Sequence, residues 1–205
     1  MPKDKTESHI KIRAAMRAEF LEKGYAGASI RSIGRRAGLT SAALYRHFSS
    51  KEEMFCAAVE PLVKEIRDWM QQHKQTKYQM LSAHPDGEAL FGESVVDLVR
   101  EVILPRRDEF LLLVNCAEGT RYEHFIHRFV EENQQDLANA FASLREMGYP
   151  AKMLGEEELH MILSAYMTAL LEPVIHGCPD DRIAHCLTVV SDFFMPGWKN
   201  LMGLQ

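Results

Sequence analysis

Between Thr40 and Lys51 the chain mixes small, hydroxyl-bearing and basic side chains in a way that suits contact with a polyanion: Thr40, Ser41, Ala42, Ala43, Tyr45, His47 and Lys51. Small residues at the start of a helix let its backbone approach the floor of a duplex major groove. The methyls of Ala42 and Ala43 can meet thymine methyls there. Tyr45 and His47 at the helix end, and Lys51 at the start of the next, hold donors that phosphate oxygens accept. Thr40 fits a helix cap better than a base-reading position.

Two short helices must hold this run in place. Ser29 is a good N-cap for a helix opening at Ile30, and Gly38 closes that helix where a positive φ is needed. Thr40 or Ser41 then opens a second helix, expected through Tyr45 and His47. Ile33, Ala37, Leu39, Leu44 and Phe48 supply an apolar core joining the two. Before them, Ile10, Ala14, Met16, Phe20 and Leu21 predict a helix over 7–23, with Gly24 as its cap. After them, Ser50-Lys-Glu-Glu53 has the form of a capping box and opens a long helix carrying Met54, Phe55, Ala58, Val59, Leu62, Ile66 and Trp69. Pro61 inside that run predicts a kink or a boundary.

The stretch Ser29-Ile-Arg-Ser-Ile-Gly-Arg-Arg-Ala-Gly-Leu-Thr-Ser-Ala-Ala-Leu-Tyr-Arg-His-Phe48, with the following Ser50-Lys-Glu-Glu53, resembles the TetR family of bacterial repressors over residues 7 to about 60. The resemblance implies a homodimer with a three-helix DNA-binding head and a larger C-terminal ligand-binding and dimerisation domain. It also implies that Arg31, Ser41, Ala42 and Ala43 face bases, and that Ser29, Tyr45, His47 and Lys51 face phosphates. It carries no information about an effector.

Charge agrees with a head and body of different character. The 205 residues carry a net charge of −5. Residues 1–50 hold ten Lys and Arg against Asp4, Glu7, Glu19 and Glu22, a balance of +6, so the remainder stands at −11. A basic head on an acidic body gives one polyanion-binding surface. We therefore expect an all-α protein with residues 1–50 as the DNA-binding domain, the connecting helix starting there and running to about 60, and residues 51–205 as the ligand-binding and dimerisation domain. No run approaches about 18 apolar residues, and no apolar segment follows the polar N-terminus, which predicts a cytoplasmic protein without a membrane partner. Cys56, Cys116, Cys178 and Cys186 are dispersed and read as apolar fillers.

The rest of the pattern is helical. Residues 71–87 are polar and weakly periodic, the best candidate for a loop. The run 110–116 reads as a buried helix, Gly119-Thr120 should open a long one, and two more follow at about 156–176 and 180–194, the last stopped by Pro196-Gly197. A body that senses a small hydrophobic molecule needs apolar walls with a few polar groups. Trp69, Met70, His73, Phe91, Val95, Leu112 and Asn115 are candidate lining residues. So are Cys116, Tyr122, Phe125, Phe129, Tyr166 and Met167, and Asn115 would be a buried amide in need of partners. Leu159, Leu163, Tyr166 and Leu170, with Ile183, Leu187, Val190 and Phe194, repeat at heptad-like spacing and suit a four-helix dimer bundle.

Other classes fare worse. Glu157-x-x-His160 matches one half of a di-iron pair, but no second half exists. Cys116, His124, His127 and His160 leave a metal- or redox-responsive regulator as the alternative, beside a helical interaction module without ligand control. Motifs for acyl transfer, zinc proteolysis and phosphate binding are missing, so neither an enzyme nor a cofactor is expected.

Overall fold

The computed structural model describes residues 5–83 and 95–204. Phe91 lies outside them. Every regular element among the described residues is helical: α1 (Lys5–Gly27), α2 (Ile30–Ala37), α3 (Ser41–Leu44), α4 (Lys51–Ala83), α5 (Arg107–Asn115), α6 (Phe125–Glu146), α7 (Glu156–Ile175) and α8 (Asp180–Met202). A π-helical segment, Leu98–Ile103, and one 3-10 turn precede α5.

Packing divides the chain into two units, Met1–Glu65 with Arg106–Phe125, and Ile66–Pro105 with Ile126–Gln205. A cut at residue 50 would leave out α5, which packs against α1 within the first unit. That unit is built around Ile12, Met16 and Phe20 of α1, Ile33 of α2, Leu44 of α3, and Phe55, Val59 and Leu62 of α4, all buried. Phe110 and Leu113 bury α5 in the same unit. The second unit is held by Leu137, Phe141 and Leu144 of α6 and by the leucines of α7. Ile183, Leu187, Trp198 and Met202 of α8 complete it.

The buried stripe of α1 is Ile12, Ala15, Met16, Glu19 and Phe20, while Ile10 and Ala14 of the expected stripe are exposed. Gly24 has φ 66° and breaks the helical path before the last turn, as a cap should. The polar 71–87 region is not a loop at its start, because α4 continues through Ala83. Residues 119–124 form turns rather than the start of α6, which opens only at Phe125. Pro196-Gly197 does not stop α8, which runs on to Met202 and ends at Gly203 with φ 69°. An internal proline costs about 3 kcal/mol. Burying Trp198 and Met202 in the added turns returns about 1.5–3 kcal/mol each, enough to carry the helix through.

Candidate nucleic-acid interface

Local chemistry sets the α2–turn–α3 geometry residue by residue. The Ser29 hydroxyl accepts the Ser32 N–H at 3.1 Å and caps α2. Gly38 ends α2 in the left-handed region at φ 69°, φ that glycine adopts freely. Thr40 Oγ1 accepts the Ala43 N–H at 3.1 Å, so its oxygen is spent as the α3 cap. Within α2, Gly34 makes the turn possible: its carbonyl accepts the Leu39 N–H at 2.8 Å, and a Cβ there would lie 2.7 Å from the Leu39 carbonyl oxygen.

α3 itself is one turn long. The expected helix through His47 ends at Leu44, and Tyr45–His47 continue as a tight turn, with His47 N–H donating to Leu44 O at 2.9 Å. Leu44 is fully buried and anchors the helix, which leaves Ala42 exposed and Ser41 and Ala43 partly so. Tyr45, His47 and Arg31 are exposed. The outward side of this one-turn helix carries small residues and is open, flanked by an exposed phenol and imidazole.

Lys51 is employed differently from the phosphate role the resemblance implies. Its ammonium donates to the carbonyls of Tyr25 (2.8 Å), Ala26 (3.2 Å) and Ala28 (3.2 Å), and sits 4.5 Å from the Tyr25 ring centroid. An ammonium has three N–H donors, so all are engaged within the protein. Lys51 thus clasps the α1–α2 connection, and a phosphate bond would have to displace one of these. The Tyr25 N–H is held from the other side by the Cys116 carbonyl at the end of α5 (2.9 Å), and its ring packs on Phe20 and Phe55. The Ser50 hydroxyl accepts the Glu53 N–H at 3.0 Å, but the Glu53 carboxylate turns to the Ser49 hydroxyl (2.6 Å) and backbone N–H instead of completing a box on Ser50.

Glu19, which sequence reasoning passed over, joins α1 to α2. It is 3% exposed and accepts from the Ser32 hydroxyl (2.7 Å), Arg36 Nε (2.9 Å) and the Ser29 N–H (3.3 Å). Burial pushes its carboxyl pKa up, but the bonds from Ser32, Ser29 and Arg36 outweigh this and hold it below the usual range. Arg36 also reaches Glu22. Elsewhere in the same unit, Arg17 pairs with Glu109 of α5 at 2.9 Å, and Arg106 bridges Glu109 and Glu65 at 3.1 Å each.

The candidate lining residues of the body do not gather in one unit. Leu112, Asn115, Cys116, Tyr122 and Phe125 belong to the first, and Trp69, Met70, His73, Val95, Phe129, Tyr166 and Met167 to the second. Asn115 is exposed at the end of α5, so it is not the buried amide expected. In the second unit the Trp69 and His73 rings stack at 3.5 Å, and Trp69 Nε1 donates to Glu101 at 3.3 Å. Burial pushes the Tyr166 phenol up to about 12, which keeps it neutral.

The heptad-spaced residues fill the seam between α7 and α8 of one chain. Leu159, Leu163, Tyr166, Leu170, Ile183 and Leu187 are buried, and Val190 and Phe194 partly so. The apolar groups pointing outward are different ones: Met161 (64% exposed), Val189 (52%) and Phe193 (78%). Among the described residues no three His, Cys, Asp or Glu converge as a metal site. His127 pairs with Glu131, and His160 with Gln134. None of the four cysteines forms a disulfide, and burial raises the thiol pKa of Cys56 and Cys116.

Residues 12–58 match the model of the bacterial regulatory proteins, tetR family. The HTH-type transcriptional repressor KstR2 of Mycobacterium tuberculosis is 39% identical over 61 residues, covering 30% of this chain and 27% of that protein. The HTH-type transcriptional activator FasR of Mycolicibacterium smegmatis is 32% identical over 76 residues, 37% of this chain and 34% of that protein. The chain thus spans about a third or less of the length of these curated relatives. Among solved structures, NalD of Pseudomonas aeruginosa, described as the secondary repressor of the MexAB-OprM multidrug efflux pump, aligns over 98% of both chains at 21% identity and a TM-score of 0.59. A TerR/AcrR-family regulator of Aquifex aeolicus aligns over 95% of this chain and 99% of that one, at 20% identity and 0.54. At these identities the likeness is one of fold.

Proposed function

We propose that this chain, whose residues 12–58 match the model of the bacterial regulatory proteins, tetR family, is a sequence-specific DNA-binding transcriptional regulator that acts as a homodimer. The observation that carries the reading is the α2–turn–α3 unit, which leaves Ser41, Ala42 and Ala43 accessible on a helix anchored by buried Leu44. Arg31, Ser41, Ala42 and Ala43 are the proposed base readers, and Tyr45 and His47 the phosphate contacts. Ser29 and Thr40 contribute as caps, and Lys51 as the clasp of the α1–α2 connection. DNA binding is assigned to residues 1–50 with the start of α4 to about 60, and sensing and dimerisation to the remainder.

Two copies would pair through the outward apolar groups of α7 and α8, Met161, Val189 and Phe193. Each copy would then present one α3 to successive major-groove faces of a pseudo-palindromic operator. Ligand control is the finer part of the proposal: a small, largely hydrophobic effector, taken up beside the stacked Trp69 and His73, releases a repressor from its operator. Such a molecule acts only through different affinities for the two states. A redox-responsive regulator is disfavoured by the raised thiol pKa values of Cys56 and Cys116, since the thiolate is the reactive form.

The test is a gel shift of the full chain against duplexes selected from random sequence, repeated across salt concentrations. Affinity should fall steeply with salt, and selected sites should survive excess competitor DNA. Tyr45→Ala should weaken binding to all duplexes alike, whereas changing Ala43 should alter sequence preference. Binding that no competitor discriminates would refute the sequence-specific reading.

A further inference from the structure

We propose that His9 is a further DNA-contacting residue, forming with His47 a two-imidazole site for a single backbone phosphate; this rests on the DNA-binding reading above. The two rings meet edge to face, with centroids 5.1 Å apart and planes at 81°. One comes from the second turn of α1 and the other from the turn after α3, and both side chains are exposed. Edge-to-face contact is a favoured arrangement of two aromatic rings.

The partners of other histidines sharpen the contrast. His127 pairs with Glu131 at 3.2 Å, His176 with Glu172 at 2.6 Å, and His160 with Gln134 at 3.0 Å. Among the described residues, neither His9 nor His47 has a carboxylate or carbonyl on its ring nitrogens, so their donors are available to a ligand. An imidazole N–H donates at about 2.9 Å, so rings whose centroids lie 5.1 Å apart are near enough to share one phosphate group. The surroundings are cationic: Arg13, one turn further along α1, and Arg46, beside His47, are both exposed. An anion is the ligand such a pair accepts, and Tyr45 and α3 set the adjoining surface against a duplex backbone. His9 precedes the family-matched segment, which begins at residue 12, so nothing in that match assigns it.

The experiment measures binding of the full chain to a duplex selected from random sequence by the native protein, using fluorescence anisotropy over a range of salt. His9→Ala should weaken binding about tenfold, the size of a lost hydrogen bond to a charged group. His9→Gln keeps an N–H donor and should recover part of the loss. The double variant with His47→Ala should be little weaker than either single one, because the two rings share one phosphate. His9→Ala binding within twofold of the native chain, while Tyr45→Ala still loses affinity, would overturn the proposal alone. Fully additive losses would overturn the shared site. A native chain that binds no duplex removes the DNA-binding reading and this proposal together. Circular dichroism melts of each variant separate lost contact from lost fold.

Discussion

Replacing Glu19 tests the polar lock inside the head most directly. Glu19 is 3% exposed and its carboxylate accepts three bonds, from Ser32, Arg36 and Ser29. Removing one member of a buried ion pair costs about 3–5 kcal/mol, because the other is left without its partner. Arg36 is 36% exposed and keeps Glu22, so it can rehydrate, which places Glu19→Ala near the low end, about 3 kcal/mol. That is a large part of the roughly 5–15 kcal/mol that holds a domain folded. In urea denaturation followed by circular dichroism, with a slope of about 2 kcal/mol per M, the midpoint should fall by about 1.5 M. The same group sets a pH dependence. Its folded pKa is lowered, so its contribution is full above the unfolded carboxylate value of about 4.3 and is lost as pH falls through the lower folded value. The variant should lack this acid-side loss. A midpoint shift below about 0.3 M, with an unchanged acid profile, would show that the carboxylate does not couple α1 to α2.

Three further substitutions probe other parts of the molecule. Gly34→Ala places a methyl 2.7 Å from the Leu39 carbonyl and should destabilise the head by about 1–3 kcal/mol while abolishing DNA binding; near-native melting and binding would refute the tight turn. Lys51→Met removes the clasp on Tyr25, Ala26 and Ala28. It should lower the melting temperature of the free protein, whereas loss of DNA affinity at native stability would return Lys51 to a phosphate role. Phe193→Glu puts a charge on the outward face of α8, and sedimentation should then show monomers, while a dimer of native strength would place the interface elsewhere.

Much of the head was legible because its signals are local. Ser29, Gly38 and Thr40 act within three residues of themselves, and caps and turn glycines act through their own backbone neighbourhood. The basic character of residues 1–50 needs only counting. The body was harder to read at its element ends. Pro196 is a helix breaker by local rule, and it is carried inside α8 because Trp198 and Met202 find burial beyond it. The heptad pattern of α7 and α8 was correctly apolar, but periodicity alone cannot tell an intramolecular seam from an interface between copies.

By itself, then, the sequence determined the all-helical class, the α2–turn–α3 unit and the small outward residues of α3. Tertiary structure decided which residues support that unit. It turned Glu19 inward on the stripe of Ile12, Ala15, Met16 and Phe20, where a propensity rule would put an apolar side chain. It spent the Lys51 ammonium on three carbonyls, brought α5 against α1, and set His9 beside His47. The physical reason is common to all four. A charge satisfied by distant groups, a packed helix pair or a ring contact depends on partners far away in the chain, and no local pattern of side-chain types reports where those partners will be.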